Sequence, residues 1–340
     1  MDDSAPDLPL AGRPTLKTIA ALTGLSIATV SRALKDAPDI GEETKRRVRE
    51  MAAHVGYRPN RAGVRLRTGK TNVIALVRST EEDVMNQTSQ LINAIAAALR
   101  GTAYHMILMP YFPEEDRMAP IRYIVETGSA DAVIINQTTP DDPRVQYLHG
   151  RGFPFATHGR TEMGIEHSFF DFDNEAFARI MVREMVARGR KRLALVAPPK
   201  SQSYSIHMMK GFAEEAARLG VQAEIFDEVT SDTAALQVEA FAARWFSRPD
   251  RPDGVVLGSA TSAMALVTGG ESCGLVLGRD FDVGTKDSAR FLRRFRPTML
   301  VVHEDVSQVG DFLARAVMSE IETPQNHAIR QYLDLPVTIG

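Results

Sequence analysis

The sequence predicts two parts of different fold class, a short all-α headpiece followed by a longer α/β body. Between residues 15 and 55, apolar side chains recur at the three- and four-residue spacing of amphipathic helices. From residue 72 onward, short apolar runs alternate with longer helical patterns, which is the order expected of parallel sheets covered by helices. The chain of 340 residues is long enough to form both parts.

Two short helices joined by a tight turn are predicted between residues 15 and 34. Thr15 is suited to cap the first helix, because its hydroxyl can accept a backbone N–H that has no partner inside the helix. Gly24 can end that helix in the left-handed conformation, and Ser26 can cap the second helix. Two helices joined by a turn that contains glycine are typical of a helix-turn-helix motif.

The second predicted helix presents a mixed outer face, formed by Ile27, Ala28, Ser31 and Arg32. A face of this kind could enter the major groove of DNA. Arg32 is the side chain best suited to read a base, because its planar guanidinium can pair with both acceptors of a guanine edge. The alternatives are that Arg32 contacts a phosphate or only faces solvent.

Basic charge is concentrated near the amino terminus. Residues 11–70 contain 13 Lys/Arg and 5 Asp/Glu, whereas residues 71–340 contain 27 Lys/Arg and 35 Asp/Glu. A basic segment ahead of an acidic body is typical of a head that binds nucleic-acid phosphates. The alternative is that a third helix, predicted from residue 41 to 55, only presents solvent-facing charges. Its basic residues are Lys45, Arg46, Arg47 and Arg49.

Three motifs, in their order and spacing, resemble the headpiece and hinge of the LacI/GalR family of bacterial repressors. They are Thr29-Val30-Ser31-Arg32, Gly56-Tyr57-Arg58-Pro59-Asn60, and Leu66 followed by Gly69-Lys70. The resemblance implies a headpiece over residues 13–58 behind a flexible tail of residues 1–12, and a hinge helix and linker over 59–70. Residues 71–340 would form a two-lobed domain, similar to periplasmic binding proteins, for effector binding and dimerisation.

The resemblance also implies which residues approach DNA. Ile27 and Ala28 stand at the family's two principal base-reading positions, and Leu66 matches a leucine that wedges between base pairs in the minor groove. Gly63 stands where a helix former is usual, which weakens the hinge helix by about 1 kcal/mol. The full predicted DNA-binding set is Thr15, Leu16, Ile27, Ala28, Thr29, Ser31, Arg32, Tyr57, Asn60 and Leu66.

The body is predicted to contain two successive sets of strands and helices. Strands are expected over 72–77, 105–109, 130–136, 154–158, 192–197, 222–226, 254–257, 281–284 and 299–302. Helices are expected over 88–100, 114–127, 144–150, 176–187, 206–219, 233–246, 262–270 and 305–321. Such repeats form parallel sheets, and a ligand would lie between the lobes near the carboxyl ends of the strands.

Candidate effector-binding residues are polar positions at strand ends or at positions that match the family. Arg160 matches the position of an arginine that contacts the effector or forms an ion pair across the lobes. Asp173 and Asn174 resemble the family's Asp-Asn pair at the lobe boundary, and the alternative for Asn174 is that it only caps the following helix. The complete predicted set is Asn136, Arg160, Asp173, His207, Thr261, Lys286 and Asp287.

Three positions depart from the family pattern. Met208 stands where an arginine is usual, so His207 beside it could supply polarity instead. Thr261-Ser262 stands where the family has Asn-Asp. Lys286 precedes Asp287 where two adjacent acidic residues are common. We expect a hydroxyl-rich effector, a sugar or a polyol, and leave open whether it carries an acidic group.

Other functions are disfavoured by what the sequence lacks. We find no nucleophile constellation, phosphate loop or metal-ligand spacing, so we expect no enzyme activity, no metal and no cofactor. The single cysteine, Cys273, cannot form an internal disulfide. No apolar stretch is long enough for a membrane span, and residues 1–12 lack the apolar run of a signal peptide. We therefore expect a cytoplasmic, homodimeric repressor that binds double-stranded operator DNA. The alternative is a solute-binding protein for carbohydrate uptake.

Overall fold

The computed structural model describes residues 14–57, 65, 69–80, 87–323 and 329–336. The chain divides into two compact units between Thr71 and Asn72. The predicted DNA contacts Asn60 and Leu66, and Gly63 of the predicted hinge, lie outside the described residues.

The amino-terminal unit contains the helices α1 (Leu16–Thr23), α2 (Ile27–Ala33) and α3 (Glu42–His54). Thr15 and Thr18 form a reciprocal cap at the start of α1, in which each hydroxyl accepts the other residue's backbone N–H. Gly24 ends this helix at φ +67°, and Ser26 caps α2 by accepting the N–H of Thr29 at 3.0 Å. The predicted caps and turn are confirmed.

A small apolar core joins the three helices of this unit. Its buried side chains are Ile19, Ala20, Val30, Ala33, Val48 and Ala52. Because Val30 and Ala33 point into this core, the face of α2 that carries Ile27, Ala28 and Arg32 points away from it.

The larger unit contains two parallel sheets. The first sheet consists of β1 (Val73–Ser79), β2 (His105–Tyr111), β3 (Ala132–Ile135), β4 (Phe155–His158), β5 (Ser168–Phe172) and β11 (Gln331–Asp334). Its strand order is β11-β5-β4-β3-β1-β2. The helices α4 (Gln87–Ala98) and α12 (Val306–Glu322) cover one face, and α5 (Ala119–Thr127) and α6 (Pro143–Gly150) cover the other. This sheet and these helices form the first lobe.

The second sheet consists of β6 (Arg192–Val196), β7 (Gln222–Ile225), β8 (Gly254–Leu257), β9 (Asp282–Asp287) and β10 (Leu300–His303), in the order β10-β9-β8-β6-β7. The helices α7 (Asn174–Ala187) and α8 (Ser203–Leu219) cover one face, and α9 (Ala235–Phe246) and α10 (Ala260–Ser272) cover the other. With the short helix α11 (Leu292–Phe295), these elements form the second lobe. The predicted pair of parallel sheets is confirmed.

Several element boundaries differ from the prediction. The strand β9 continues three residues past the predicted end at Gly284, so Lys286 and Asp287 belong to a buried strand. The helix α5 begins at Ala119 rather than at 114, because the carboxylate of Asp116 accepts the N–H of Met118 in a turn ahead of it. The strands β5 and β11 and the helix α11 were not among the predicted elements.

Candidate functional site

The exposed face of α2 combines apolar and polar side chains. Ile27 is 44% exposed, and Ala28 beside it is also exposed. Thr29 and Ser31 are half-buried, and the Thr29 hydroxyl lies 2.9 Å from the hydroxyl of Ser26 at the helix cap. This face therefore has exposed apolar side chains at its start and one charged side chain, Arg32, at its end.

Arg32 forms an ion pair with Asp39, in the segment between α2 and α3. Both side chains are about half exposed, and ion pairs in such positions contribute little to stability. The guanidinium can therefore exchange this carboxylate for an acceptor on another molecule at low cost.

The basic residues of α3 make contacts within their own unit. Lys45 is buried, and its Nζ lies 3.1 Å from the carboxylate of Asp36, which also accepts from Arg49 at 2.6 Å. Arg47 donates to the backbone carbonyl of Thr23 at the end of α1. These contacts hold α3 against the first two helices, so the solvent-facing alternative is wrong for Lys45.

The remaining predicted DNA contacts in this unit also have structural roles. Thr15 is exposed and caps α1, whereas Leu16 and Tyr57 are half-buried and pack against the apolar core. Burial raises the pKa of the Tyr57 phenol above its usual range. All three lie in the same compact unit as α2.

A polar cleft lies between the two lobes, where the carboxyl ends of the parallel strands meet. It encloses about 1440 Å³ of empty space, part of which is continuous with solvent. Its polar lining includes Arg78, Asn136, His158, Asp171, Tyr204, Asp232, Thr261, Lys286 and Glu304. A cleft with several convergent polar groups is typical of a site for a small molecule.

Lys286 is the central cation of the cleft. Its Nζ lies 3.1 Å from Asn174 Oδ1 and 3.1 Å from Glu304 Oε2. The same ammonium lies 4.9 Å from the ring centroid of Phe172 and 5.5 Å from that of Tyr204. Lys286 and Glu304 are only 7% and 8% exposed, so their charges are compensated mainly by each other.

The ion pair continues toward the first lobe. Glu304 Oε1 lies 4.0 Å from His158 Nε2. Burial alone would raise the pKa of Glu304, but the positive charge and the hydrogen bond of Lys286 outweigh it and lower this pKa. Burial lowers the pKa of the His158 imidazole below 6.5, so this ring is mainly neutral at pH 7.

Asp171 is a second buried carboxyl group on the cleft wall. Burial raises its pKa to about 6, although the cation of Arg160 and the ring of His207 oppose that rise. Arg160 Nε lies 3.4 Å from Asp171 Oδ2, and His207 Nδ1 lies 4.0 Å from the same oxygen. Within the described residues, this oxygen accepts no hydrogen bond.

The helix α8 makes two hydrogen bonds across the lobes. His207 Nε2 lies 2.7 Å from Glu162 Oε1 in the first lobe, and the N–H of Ser203 donates to the carbonyl of Thr138 at 2.9 Å. Arg160 pairs with Asp171, which follows it in the same lobe. The prediction that Arg160 could form the ion pair across the lobes is therefore wrong, because its partner belongs to its own sheet.

The neighbouring residues Asp173 and Asn174 have roles opposite to those considered from the sequence. Asp173 caps α7 by accepting the N–H of Ala176 at 2.8 Å, and Asn174 bonds to Lys286 in the cleft. Asp287 lines the cleft, but its two oxygens accept the N–H groups of Ala289 and Leu292.

Asn136, predicted from the end of a strand, and Thr261, predicted from a family position, both line the cleft. Asn136 Oδ1 is buried and accepts no hydrogen bond from any residue that the structure describes. Thr261 lies in the first turn of α10, which Ser259 caps.

Sequence reasoning missed Arg78, Tyr204, Asp232 and Glu304. Arg78 lies near the end of β1 and Glu304 directly follows β10, so the strand-end rule could have found both. Tyr204 was missed because α8 begins at Ser203, three residues before its predicted start. Asp232 lies in the loop after β7, where no pattern in the sequence marks it.

The described residues contain neither a cluster of metal ligands nor a helix able to span a membrane. Residues 14–57, 65, 69–80, 87–323 and 329–336 contain no group of three or more His, Cys, Asp or Glu side chains placed to hold a metal ion. In the same part of the chain, every helix is too short or too polar to cross a lipid bilayer.

Two family models match this sequence. Residues 15–60 match the bacterial regulatory proteins of the lacI family, and residues 182–339 match a periplasmic binding protein-like domain. The first match covers the helices α1 to α3, and the second covers most of the second lobe together with α12 and β11.

Similar proteins cover most of the chain. The HTH-type transcriptional regulator AglR of Rhizobium meliloti (strain 1021) is 32% identical over 277 residues, which are 80% of this chain and 77% of AglR. The regulator RafR of Escherichia coli is 36% identical over 210 residues, 61% of this chain and 62% of RafR.

Two solved structures share the fold at low sequence identity. The lac repressor dimer bound to operator and the anti-inducer ONPF superposes with a TM-score of 0.84 at 18% identity, covering 97% of this chain and 98% of the repressor chain. A complex of the transcriptional regulator CelR with cellobiose has a TM-score of 0.69 at 21% identity, covering 96% and 99%.

Proposed function

Since the chain belongs to the LacI family of bacterial regulatory proteins and is a DNA-binding transcriptional regulator, we propose that it is a repressor switched by a sugar or polyol. In this proposal a homodimer binds a palindromic operator in the cytoplasm. The observation that supports it is that one chain carries both a helix-turn-helix unit with an outward-facing α2 and a separate polar cleft between two lobes.

We place the reading of DNA bases on the outer face of α2. Ile27 and Ala28 are exposed and apolar, so they suit the methyl group of thymine. Arg32 suits guanine once it leaves Asp39. Thr29 and Ser31 would bond phosphates. As the family resemblance implies, Tyr57 and Asn60 would contact the DNA backbone, Thr15 and Leu16 would lie near DNA, and Leu66 would enter the minor groove.

The symmetry of a palindromic operator and the exposed apolar side chains of the first lobe both favour a homodimer. A palindromic site needs two heads related by two-fold symmetry. The strand β2 lies at the edge of its sheet, and Phe112 just beyond it is 57% exposed. Leu108 on β2 and Tyr123 on α5 are also large, exposed and apolar. Burial of these side chains against a second copy would remove apolar surface from water.

The cleft suits a hydroxyl-rich effector. Asn136 Oδ1 and Asp171 Oδ2 are buried acceptors on its wall, and among the described residues neither receives a hydrogen bond. Hydroxyl groups of a ligand would supply the missing donors, since buried polar atoms without partners are costly. The CelR structure with cellobiose shows that a protein of this fold holds a sugar.

The closest competing function is that of a solute-binding protein for carbohydrate uptake, which would use the same cleft without reading DNA. An enzyme is a weaker alternative, because the similar proteins AglR and RafR are transcriptional regulators. We propose that this chain acts by binding alone and needs no cofactor.

The test is selection of bound duplexes from a random DNA pool at about 100 mM salt, where non-specific phosphate binding is partly suppressed. The pool is screened with and without a mixed set of sugars and polyols. We expect recovery of a palindrome whose occupancy changes when sugars are present. Binding without sequence preference, or none, would favour the solute-binding alternative.

A further inference from the structure

We propose that Glu304, by neutralising the charge of Lys286, sets the charge selectivity of the cleft, so that the cleft accepts uncharged glycosides and rejects glycosides that carry a carboxylate. This inference rests on the proposed sugar effector and specifies its chemical class. Glu304 acts as a positioning residue for Lys286 in this account.

The contacts of Lys286 leave it one donor for a ligand. Its ammonium has three N–H groups, and two of them have acceptors at 3.1 Å, Asn174 Oδ1 and Glu304 Oε2. The rings of Phe172 and Tyr204 lie within 5.5 Å and restrict its movement. A third N–H can donate to a hydroxyl or ring oxygen, while the positive charge is already compensated.

The backbone fixes the two charged groups beside each other. Lys286 lies in β9 opposite Val302 of the adjacent strand β10, and Glu304 follows that strand directly. The backbone N–H of Glu304 donates to the carbonyl of Asp287 at 3.3 Å. The pair is therefore set by strand register rather than by flexible loop residues.

The remaining charges of the cleft disfavour an anion. Among the described lining residues, Arg78 and Lys286 are cationic, while Asp171, Asp232, Asp287 and Glu304 are acidic, and Arg160 behind the lining pairs with Asp171. At neutral pH the acidic side chains are in excess, and Lys286 already has a carboxylate partner. A ligand carboxylate would therefore bring a further negative charge close to Glu304 and Asp171, which is unfavourable where little water screens it.

The probes are matched pairs of p-nitrophenyl glycosides and uronides, in which a CH₂OH group of glucose or galactose is replaced by a carboxylate. Affinities of the full chain are measured by isothermal titration at pH 7.5. For the glycoside that binds most tightly, we expect the matched uronide to bind about 100-fold more weakly to the natural protein, as repulsion in a poorly screened site would give.

Substitution of Glu304 separates the effect of charge from that of shape. In Glu304→Gln the ammonium of Lys286 loses its carboxylate partner, and we expect the ratio of uronide to glycoside dissociation constants to fall at least 10-fold. The matched control is the double variant Lys286→Met/Glu304→Gln, which removes both charges and is expected to keep a ratio near that of the natural protein. If Glu304→Gln does not fold, Lys286→Met is used, and its ratio should equal or exceed the natural one.

The outcomes are distinct. Equal binding of glycoside and uronide by the natural protein would overturn the inference, as would an unchanged ratio in folded Glu304→Gln or a lowered ratio in Lys286→Met. If the natural protein binds neither class of probe, the proposed sugar effector itself fails, and this inference fails with it.

Discussion

Asp171 illustrates how one residue couples the cleft to pH. Its carboxyl group is buried, and the pKa of about 6 exceeds the ordinary value of 3.8 because burial penalises the charged form. Because its pKa is raised in the folded state, Asp171 makes its full contribution to the stability of the fold below about pH 4. This contribution is lost as the pH rises through about 6. The difference of about two units corresponds to about 3 kcal/mol in the free energy of unfolding.

The substitution Asp171→Asn should therefore stabilise the ligand-free protein, because an amide of the same shape does not ionise. We expect the melting temperature to rise relative to the natural protein, by more at pH 8 than at pH 5. Thermal melts across this pH range measure the effect. Asp173→Asn is the matched control, since asparagine also caps helices well, and its effect should be small at every pH. A gain for Asp171→Asn that is equal at pH 5 and pH 8 would contradict this account.

For single residues, contacts between near neighbours in the chain could be predicted from the sequence, whereas contacts between distant positions could not. The caps by Thr15 and Ser26 depend on residues at most three positions away, so the pattern alone predicts them. The bond between Asn174 and Lys286 joins positions 112 residues apart, and no local pattern indicates which of Asp173 and Asn174 turns toward the cleft. The ion pair of Lys286 with Glu304 was missed for the same reason.

The helix α2 is the element on which DNA reading depends in our proposal. We expect Arg32→Ala to weaken operator binding by about 1–3 kcal/mol and to relax the preference at one base pair, because a paired guanine contact is lost. Fluorescence anisotropy with the selected operator and with single-base variants of it measures both effects.

Arg49→Ala is the control for this experiment, because Arg49 is also a basic residue of the head but pairs with Asp36. This substitution should leave the base preference of the operator unchanged. If Arg32→Ala binds all single-base variants in the same order as the natural protein, Arg32 does not read a base.

The predicted element boundaries are wrong where pairing with a neighbouring strand, rather than the pattern of apolar side chains, decides the structure. The strand β11 is only four residues long and mostly exposed, and its backbone pairs with β5, which a pattern of buried apolar residues cannot reveal. The strand β9 extends to Asp287 because its last residues pair with β10, and the polar side chains of Lys286 and Asp287 hide that continuation. Strands with continuous apolar runs, such as β3, were predicted with small errors because both of their faces are buried.

At the scale of the whole molecule, fold and family could be predicted because they depend on the order of many elements. Alternating strands and helices predict two parallel sheets, and the head motifs predict the LacI family, which the similarity to AglR supports independently. The contacts between the lobes could not be predicted. His207 reaches Glu162 and Ser203 reaches Thr138 only because the lobes bring α8 beside the loops after β3 and β4.

These contacts between the lobes lie beside the cleft. A ligand that binds both lobes would therefore change the relative stability of the arrangements that the two lobes can adopt. A ligand can shift the affinity for DNA only by the difference in its own affinity for the two states of the protein. Coupling between the cleft and the head is therefore the central claim of the account.

The most direct measurement is the dissociation constant of the selected operator with and without a saturating concentration of the glycoside that binds most tightly. We predict a change of about 5- to 150-fold, the usual range for coupled sites. An isomeric sugar that does not bind serves as the control and should leave the value unchanged. The same dissociation constant with and without the bound glycoside would contradict the claim that the cleft controls DNA binding.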